Sequence, residues 1–176
     1  MDFYFMFLPV LSSIFKIKIM ETTREAAHQK VHDTTVKQLN QLLEKSYDAE
    51  KGYKKAIEDT DSVRLKTFFQ ERAALRSRFA TEIHNELHKL NEEPTTKGSA
   101  AGAIHRTWMD VKSAFTSENE EAILEECIRG EKASVEDYEE ALKNDTLLAE
   151  VRPVIEQQLG AIKETLNTVK KLEDIK

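Results

Sequence analysis

Cysteine, proline and glycine are all scarce in this chain of 176 residues, which has one Cys, three Pro and five Gly. The single Cys127 excludes an internal disulfide framework and a zinc site built from cysteines. So few glycines and prolines favour long helices over a β structure with many turns. The chain also lacks a long basic run and has a net charge of −6, so nucleic acid is not an expected partner.

Motifs for nucleophilic or phosphate chemistry are also missing. There is no G-x-S-x-G elbow, no phosphate-binding glycine loop and no cysteine placed near a histidine in the sequence. What the chain does have is a hydrophobic fraction of 40% beside a charged fraction of 33%. This combination predicts one soluble domain with a real core rather than a disordered chain.

Residues 1–20 form an apolar leader that differs from the rest of the chain. The apolar run is shorter than the roughly 20 residues that a membrane-spanning helix needs. It has Asp2 where a secretory signal has positive charge, and no small-x-small cleavage site follows. We expect the natural start to be Met20. Two alternatives stay open: a membrane anchor, which would have to use residues 3–15, and a structured element packed on the domain.

Apolar residues recur at steps of three and four from Thr35 onward, which predicts four amphipathic helices. We expect a first helix over 35–59, capped by Asp33, Thr34 or Thr35, and a second over 62–91, capped by Asp61 or Thr60. The third should start at Ser117, which forms a capping box with Glu120. The fourth should run over 147–173, with a kink or a fresh helix start at Pro153.

Between the second and third helices, residues 92–102 are rich in turn formers, and residues 103–115 have the pattern of a short helix. Helices of about 28 residues measure roughly 42 Å, a length that this connection can cross. The predicted fold is therefore an all-α, ferritin-like four-helix bundle of two antiparallel hairpins joined by one long crossover. The bundle should comprise residues 35–173, preceded by a separate segment over 21–34.

Helical wheels place polar side chains at the centre of each apolar face, near the middle of each helix. These residues are Glu50, Arg72, Arg76, Glu131 and Gln158, and Tyr53 and Tyr138 lie close enough on the inner faces to bond with them. Because a lone buried charge is costly, the two Glu and two Arg residues should meet and pair. The sequence therefore predicts a charge-balanced polar core.

Di-iron bundles of the ferritin-like class use a Glu on each of two helices and a Glu-x-x-His on each of the other two. Glu50 and Glu131 suit the two single-Glu positions. The other two helices lack the motif, because His84 and His88 fall at the edge and outside of the apolar face and the last helix has no histidine. The arginines would also repel a cation, so no cofactor is expected. An iron or manganese site at Glu50 and Glu131 is the alternative.

Three further groups have simpler interpretations. His28 and His32 have the i, i+4 spacing of a metal chelate but no carboxylate partner in phase, so we expect a solvated segment. In the crossover, His105, Arg106 and Trp108 are expected to cover the bundle, with a ligand-binding or partner-binding crossover as the alternative. Cys127 faces the core and is expected to be inert.

Four segments in this order resemble an uncharacterised bacterial family of ferritin-like four-helix-bundle proteins, over about residues 33–172. They are LNQLLEKSYDAEKGYKKAI, FFQERAALRSRFATEI, GSAAGAIHRTWMDVKSA and ILEECIRGEKASVEDYEEAL. The resemblance implies a ferritin-like bundle without the usual di-iron ligands and brings no established reaction.

Together these observations predict a cytoplasmic, non-catalytic bundle with a structural, interaction or stress-related role. The oligomeric state and any protein partner stay open, although ferritin-like bundles often pair through their outer faces into homo-oligomers. The competing hypothesis is a metal-binding bundle or oxidoreductase that uses Glu50 and Glu131.

Overall fold

The part of the chain that the structure describes consists of helices joined by short turns. A computed structural model describes the backbone of residues 8–94 and 120–174 and the side chains of residues 20–94 and 120–171. Within these ranges there are four helices and no strand: α1 (Leu8–Asp59), α2 (Val63–Lys89), α3 (Glu120–Lys143) and α4 (Arg152–Asp174). The predicted all-α fold with four main helices is confirmed. The short helix predicted over 103–115 and the Ser117 cap lie outside the described residues.

The first helix begins far earlier than predicted, because α1 runs without a break from Leu8 to Asp59. The residues expected to cap it lie in mid-helix. Thr34 Oγ1 donates to Lys30 O at 2.8 Å, and Thr35 Oγ1 donates to Val31 O at 2.9 Å. A hydroxyl that bonds to the carbonyl one turn back is satisfied inside a helix and does not have to end it. The predicted start at residue 35 is therefore wrong.

Ser62 starts α2, although Asp61 and Thr60 were the expected caps. The Ser62 Oγ accepts a hydrogen bond from Leu65 N at 3.5 Å, and its backbone is extended. Thr60 instead uses its Oγ1 to accept a bond from Ser62 N at 3.2 Å. The two hydroxyls thus accept hydrogen bonds from the amides of Ser62 and Leu65, where the turn leads into α2.

A left-handed residue ends α2. Asn91 has a φ of 59°, Asn91 N donates to His88 O at 3.0 Å and Glu92 N donates to Leu87 O at 3.0 Å. These two bonds are those of a Schellman motif, which satisfies carbonyls that the helix end would otherwise leave free. Asparagine tolerates this backbone conformation better than most residues, which explains why the helix stops here.

The turn between α3 and α4 is held by a residue at the start of α4. The Arg152 guanidinium donates to Leu142 O at 3.0 Å and to Asn144 O at 2.9 Å, so it satisfies carbonyls at the end of α3. Pro153 lies in the first turn of α4, where its missing N–H costs nothing. Of the two alternatives for Pro153, the fresh helix start is the one observed, and the predicted start at residue 147 is too early.

Neighbouring helices run in opposite directions. α1 packs along α2 and α3 packs along α4, while α1 also touches α3 and α2 also touches α4. Lys45 on α1 pairs with Asp137 on α3 at 2.8 Å, and further along α1 Tyr53 bonds to Glu131. Residue numbers therefore rise along α1 as they fall along α3. This arrangement directs four apolar faces to one central axis.

Two apolar clusters fill the bundle, one toward each end. The first cluster comprises Leu39, Leu42, Leu43, Phe79, Ala80, Ile83, Leu87, Tyr138, Ala141, Leu147, Val151, Ile155, Leu159 and Ile162. The second cluster comprises Tyr53, Ala56, Leu65, Phe68, Phe69, Ala73, Ile123, Leu124, Ile128 and Val169. Arg76 and Glu131 fall between the two along α2 and α3, so the buried polar groups interrupt the core at mid-length.

The N-terminal part of α1 extends past its partners. α1 has 52 residues and α2 has 27, which correspond to about 78 Å and about 40 Å of helix. Every residue from 20 to 30 is exposed. None of the helices, within the residues described, combines the length and apolarity that crossing a membrane demands.

We expect backbone amides of residues 20–30 to exchange with solvent much faster than those of residues 39–56. Helices draw most of their stability from tertiary packing, and every residue from 20 to 30 is exposed. Hydrogen–deuterium exchange with mass spectrometry on a dilute sample measures the difference. Equal protection of both segments at a concentration where the chain is monomeric would contradict this prediction.

Candidate functional site

Six buried side chains form a layer across the bundle, which we call the polar layer: Ser46, Tyr53, Arg76, Glu131, Tyr138 and Gln158. Every helix contributes to it: Ser46 and Tyr53 lie on α1, and Arg76 lies on α2. Glu131 and Tyr138 lie on α3. Gln158 comes from α4. The layer contains two hydrogen-bonded groups, one centred on Glu131 and one centred on Gln158.

Glu131 is the centre of the charged group. Arg76 NH2 donates to its Oε2 at 2.7 Å, and the Tyr53 hydroxyl donates to its Oε1. Arg76 is only 3% exposed and Glu131 only 2%. The guanidinium also lies over the Phe79 ring, 5.7 Å from its centroid. Both carboxylate oxygens are thus satisfied, and the buried charges sum to zero.

The same surroundings hold nearby groups in their protonated forms. Burial and the charge of Glu131 raise the pKa of the Tyr53 hydroxyl well above its usual range. Burial, and then Glu131, also raise the pKa of the Cys127 thiol. Reactive cysteines need the opposite shift, because the thiolate is the nucleophile. Tyr53 and Cys127 therefore keep their protons, and the chemistry of this group is hydrogen bonding.

Gln158 is the centre of the second group and links α4 directly to α2 and α3, and through Tyr138 to α1. The Tyr138 hydroxyl donates to Gln158 Oε1 at 2.8 Å. Gln158 Nε2 donates to Glu82 Oε2 at 2.8 Å and to Phe79 O at 3.3 Å. Ser46 Oγ on α1 lies 3.4 Å from the Tyr138 hydroxyl. Both the oxygen and the nitrogen of the Gln158 amide are therefore hydrogen-bonded, and these partners define its orientation.

Two of the predicted core charges lie elsewhere. Glu50 bonds to Lys54 Nζ at 2.6 Å on its own helix, and its side chain is 14% exposed. The wheel located the Cβ of Glu50 near the apolar face, but a lysine one turn on draws the carboxylate toward solvent. The predicted pairing of Glu50 with a core arginine is therefore wrong.

Arg72 sits at the rim between α2 and α4. Its NH1 donates to Thr165 Oγ1 at 3.0 Å, and its NH2 lies 3.2 Å from the exposed carboxylate of Glu71. The guanidinium also lies over the Phe68 ring, 5.3 Å from the centroid. The long side chain lets the charge reach the edge of the bundle while its stem stays on the apolar face. The balanced buried set is one Glu and one Arg, where two of each were predicted.

Sequence reasoning did not find Ser46 and Glu82. Ser46 falls on a seven-residue step with Leu39, Tyr53 and Thr60, and all four are buried. That heptad spacing is the signal that a polar residue lies on the inner seam of a packed helix. Glu82 has no comparable signal, because it is only half-buried and reaches Gln158 from the side.

Of the remaining predicted residues, His28 and His32 lie within the described chain and are not part of the polar layer. His105, Arg106 and Trp108 lie outside the described residues. His28 is exposed, and His32 lies 3.4 Å from Leu90 O at the end of α2. The described residues contain no group of three or more His, Cys, Asp or Glu side chains that could hold a metal ion.

An open groove of about 390 Å³ runs between α1 and α3, away from the polar layer. It is lined by Gln38, Gln41, Leu42, Glu44, Lys45, Asp137, Glu140 and Ala141. The Lys45–Asp137 ion pair spans it at 2.8 Å. Gln38 and Glu44 each have one buried side-chain oxygen without a hydrogen-bond partner in the described chain.

Comparison with known proteins gives a family. The model of DUF2383, a domain of unknown function, matches residues 34–144, which is more than half of the chain. The matched range covers α2, α3 and the part of α1 that packs in the bundle. A search of curated proteins found no match.

Replacing Arg76 with Leu should lower the free energy of unfolding by about 3–5 kcal/mol, because Glu131 would keep a buried charge without a partner. Arg72→Leu is the matched control, with an expected loss of roughly 1 kcal/mol, since that guanidinium is partly exposed. Urea unfolding measures both. Equal losses would contradict the assignment of Arg76 as the buried partner. The double variant Arg76→Leu with Glu131→Leu should recover most of the loss.

Stability should fall as pH rises above about 10, the ordinary tyrosine pKa. The pKa values of Tyr53 and Tyr138 are raised by burial. Above pH 10 the unfolded chain therefore releases protons that the folded chain keeps, which favours unfolding. Urea unfolding between pH 8 and 11 tests this. In Tyr53→Phe the decline should be shallower, and an unchanged slope would contradict the prediction.

Proposed function

Since the chain belongs to the DUF2383 family, a domain of unknown function, we propose a role for it from the geometry of the polar layer. The protein is a non-catalytic, ferritin-like helical bundle with a structural, interaction or stress-related role. Its charge-balanced polar layer stands where bundles of that class hold a di-iron centre. The proposal includes a bacterial source and a cytoplasmic location.

The observation that carries the proposal is the buried pair of Arg76 and Glu131, whose charged atoms are 2.7 Å apart. A di-iron centre needs several carboxylates and imidazoles around its cations. Here the carboxylate at the centre of the bundle is already neutralised by a guanidinium. A metal ion at Glu131 would face that positive charge at close range, so the residues present do not fit a di-iron centre.

The positions of the helix ends support the ferritin-like connection. His32 on α1 approaches Leu90, which directly follows α2. Glu120, the first residue of α3, lies 3.4 Å from Arg64 at the start of α2. Because α2 ends at one end of the bundle and α3 begins at the other, the arrangement suits two hairpins with one long crossover.

The length of α1 supports an interaction role. Residues 20–30 are helical, yet they are exposed on every side. Isolated helical segments are marginally stable in water, and a partner that packs along this exposed segment would stabilise it. The partner that we propose is a second copy of this chain, because most soluble oligomers pair identical subunits.

The alternative, an iron or manganese protein that uses Glu50 and Glu131, has no comparable support. Glu50 pairs with Lys54 at 2.6 Å. Both oxygens of Glu131 accept hydrogen bonds, from Tyr53 and from Arg76. Each carboxylate would have to give up its present partner before it could bind a cation.

We expect protein purified without chelators to contain iron and manganese only far below one equivalent. It should also oxidise added Fe²⁺ no faster than buffer does, because Arg76 neutralises the central carboxylate. Elemental analysis and oxygen consumption measure these two properties. The proposal fails if either metal is stoichiometric and is lost in Glu131→Gln but retained in Glu136→Gln, an exposed control on the same helix.

A further inference from the structure

Two histidines converge near the end of α2, outside the polar layer. His84 and His88 lie one helical turn apart, and their Nε2 atoms are 2.8 Å from each other. The ring centroids are 4.6 Å apart, and the ring planes meet at 62°. His84 is half-buried and His88 is exposed. The two nitrogens therefore face each other at a place that solvent can reach.

This distance is close to the separation that a shared metal ion requires. Imidazole nitrogens bind Zn²⁺ at about 2.0–2.1 Å, so two of them around one ion lie roughly 2.9–3.4 Å apart in square-planar or tetrahedral geometry. Only a small opening of the pair would admit the ion. At present one ring donates an Nε2–H hydrogen bond to Nε2 of the other. On metal binding, the donor ring would carry its proton on Nδ1 instead of Nε2. Both rings would then stay neutral, and both Nε2 lone pairs would be free to bind the ion.

The local electrostatics favour a cation. His88 lies in the last turn of α2, where the helix dipole places partial negative charge. The only other basic residue of that turn is Lys89, and its Nζ pairs with Glu86 at 2.7 Å. The end of α2 therefore differs from the centre of the bundle, where a guanidinium already supplies the positive charge.

We propose that His84 and His88 chelate one divalent first-row transition-metal ion at the surface of the bundle, with water in its remaining coordination positions. Imidazole ligands suit Cu²⁺, Ni²⁺ and Zn²⁺, and among these Cu²⁺ binds a given nitrogen site most tightly. The site is independent of the polar layer and uses none of its residues.

The chain has its own matched control. His28 and His32 have the same spacing of four residues on α1. In that pair, however, His32 Nε2 faces Leu90 O at 3.4 Å. Its ring is turned toward the end of α2, and equal spacing on a helix therefore does not give equal geometry. We expect no chelate from this pair.

Isothermal titration of the full chain with NiCl₂ in chelator-free buffer tests the proposal. We expect one saturable equivalent and a rise in melting temperature with metal, because the ion binds the folded state. His84→Ala and His88→Ala should each weaken binding at least about tenfold, since the second imidazole of a chelate binds as an intramolecular ligand. His28→Ala should bind like the parent.

Three results would overturn the proposal: no saturable binding, binding that survives both His84→Ala and His88→Ala, or equal weakening in His28→Ala. Circular dichroism checks that each variant is folded. If an alanine variant loses helix, His84→Gln and His88→Gln keep the side-chain volume and the polar character, and the same losses of affinity are expected from them.

Discussion

The ion pair between Arg76 and Glu131 is the constraint that the rest of the bundle must satisfy. It joins α2 to α3, helices that do not pack along each other. It therefore crosses the core diagonally and connects the two hairpins. Sliding one hairpin past the other by a single turn, about 5.4 Å, would separate the charges and leave both unpaired in an apolar interior. Only one register avoids that cost.

The remaining members of the polar layer follow from this pair. The second oxygen of Glu131 needs a donor, and Tyr53 on α1 supplies it. The amide of Gln158 on α4 then ties Tyr138 to α2 through Glu82 and Phe79 O. Because the side chains of these groups bond to partners on other helices, the apolar clusters on either side meet in one arrangement. Apolar packing alone would tolerate more than one arrangement of the helices.

The sequence predicted the fold class better than the site, and the reasons are physical. Periodicity locates the inward face of a helix, so Arg76, Glu131, Gln158, Tyr53 and Tyr138 were all identified as inner-face residues, and all are buried. Periodicity does not show where a long side chain ends. Glu50 bends toward Lys54, and Arg72 reaches the rim. The start of α1 was missed for a related reason. The sequence does not show whether a threonine hydroxyl accepts from an amide of the following turn, as a cap does, or donates to a carbonyl of the preceding turn, as in mid-helix.

The length of α1 has a consequence for how the molecule moves. The bundle is about 40 Å long, but α1 measures about 78 Å, so a rod nearly as long as the bundle projects from one end. A 20.2 kDa protein of this shape has more friction than a sphere of equal mass and tumbles faster about its long axis than across it. A mass calculated from its hydrodynamic radius on the assumption of a sphere is therefore too large. A single chain of this shape would therefore elute at the volume expected of a compact dimer.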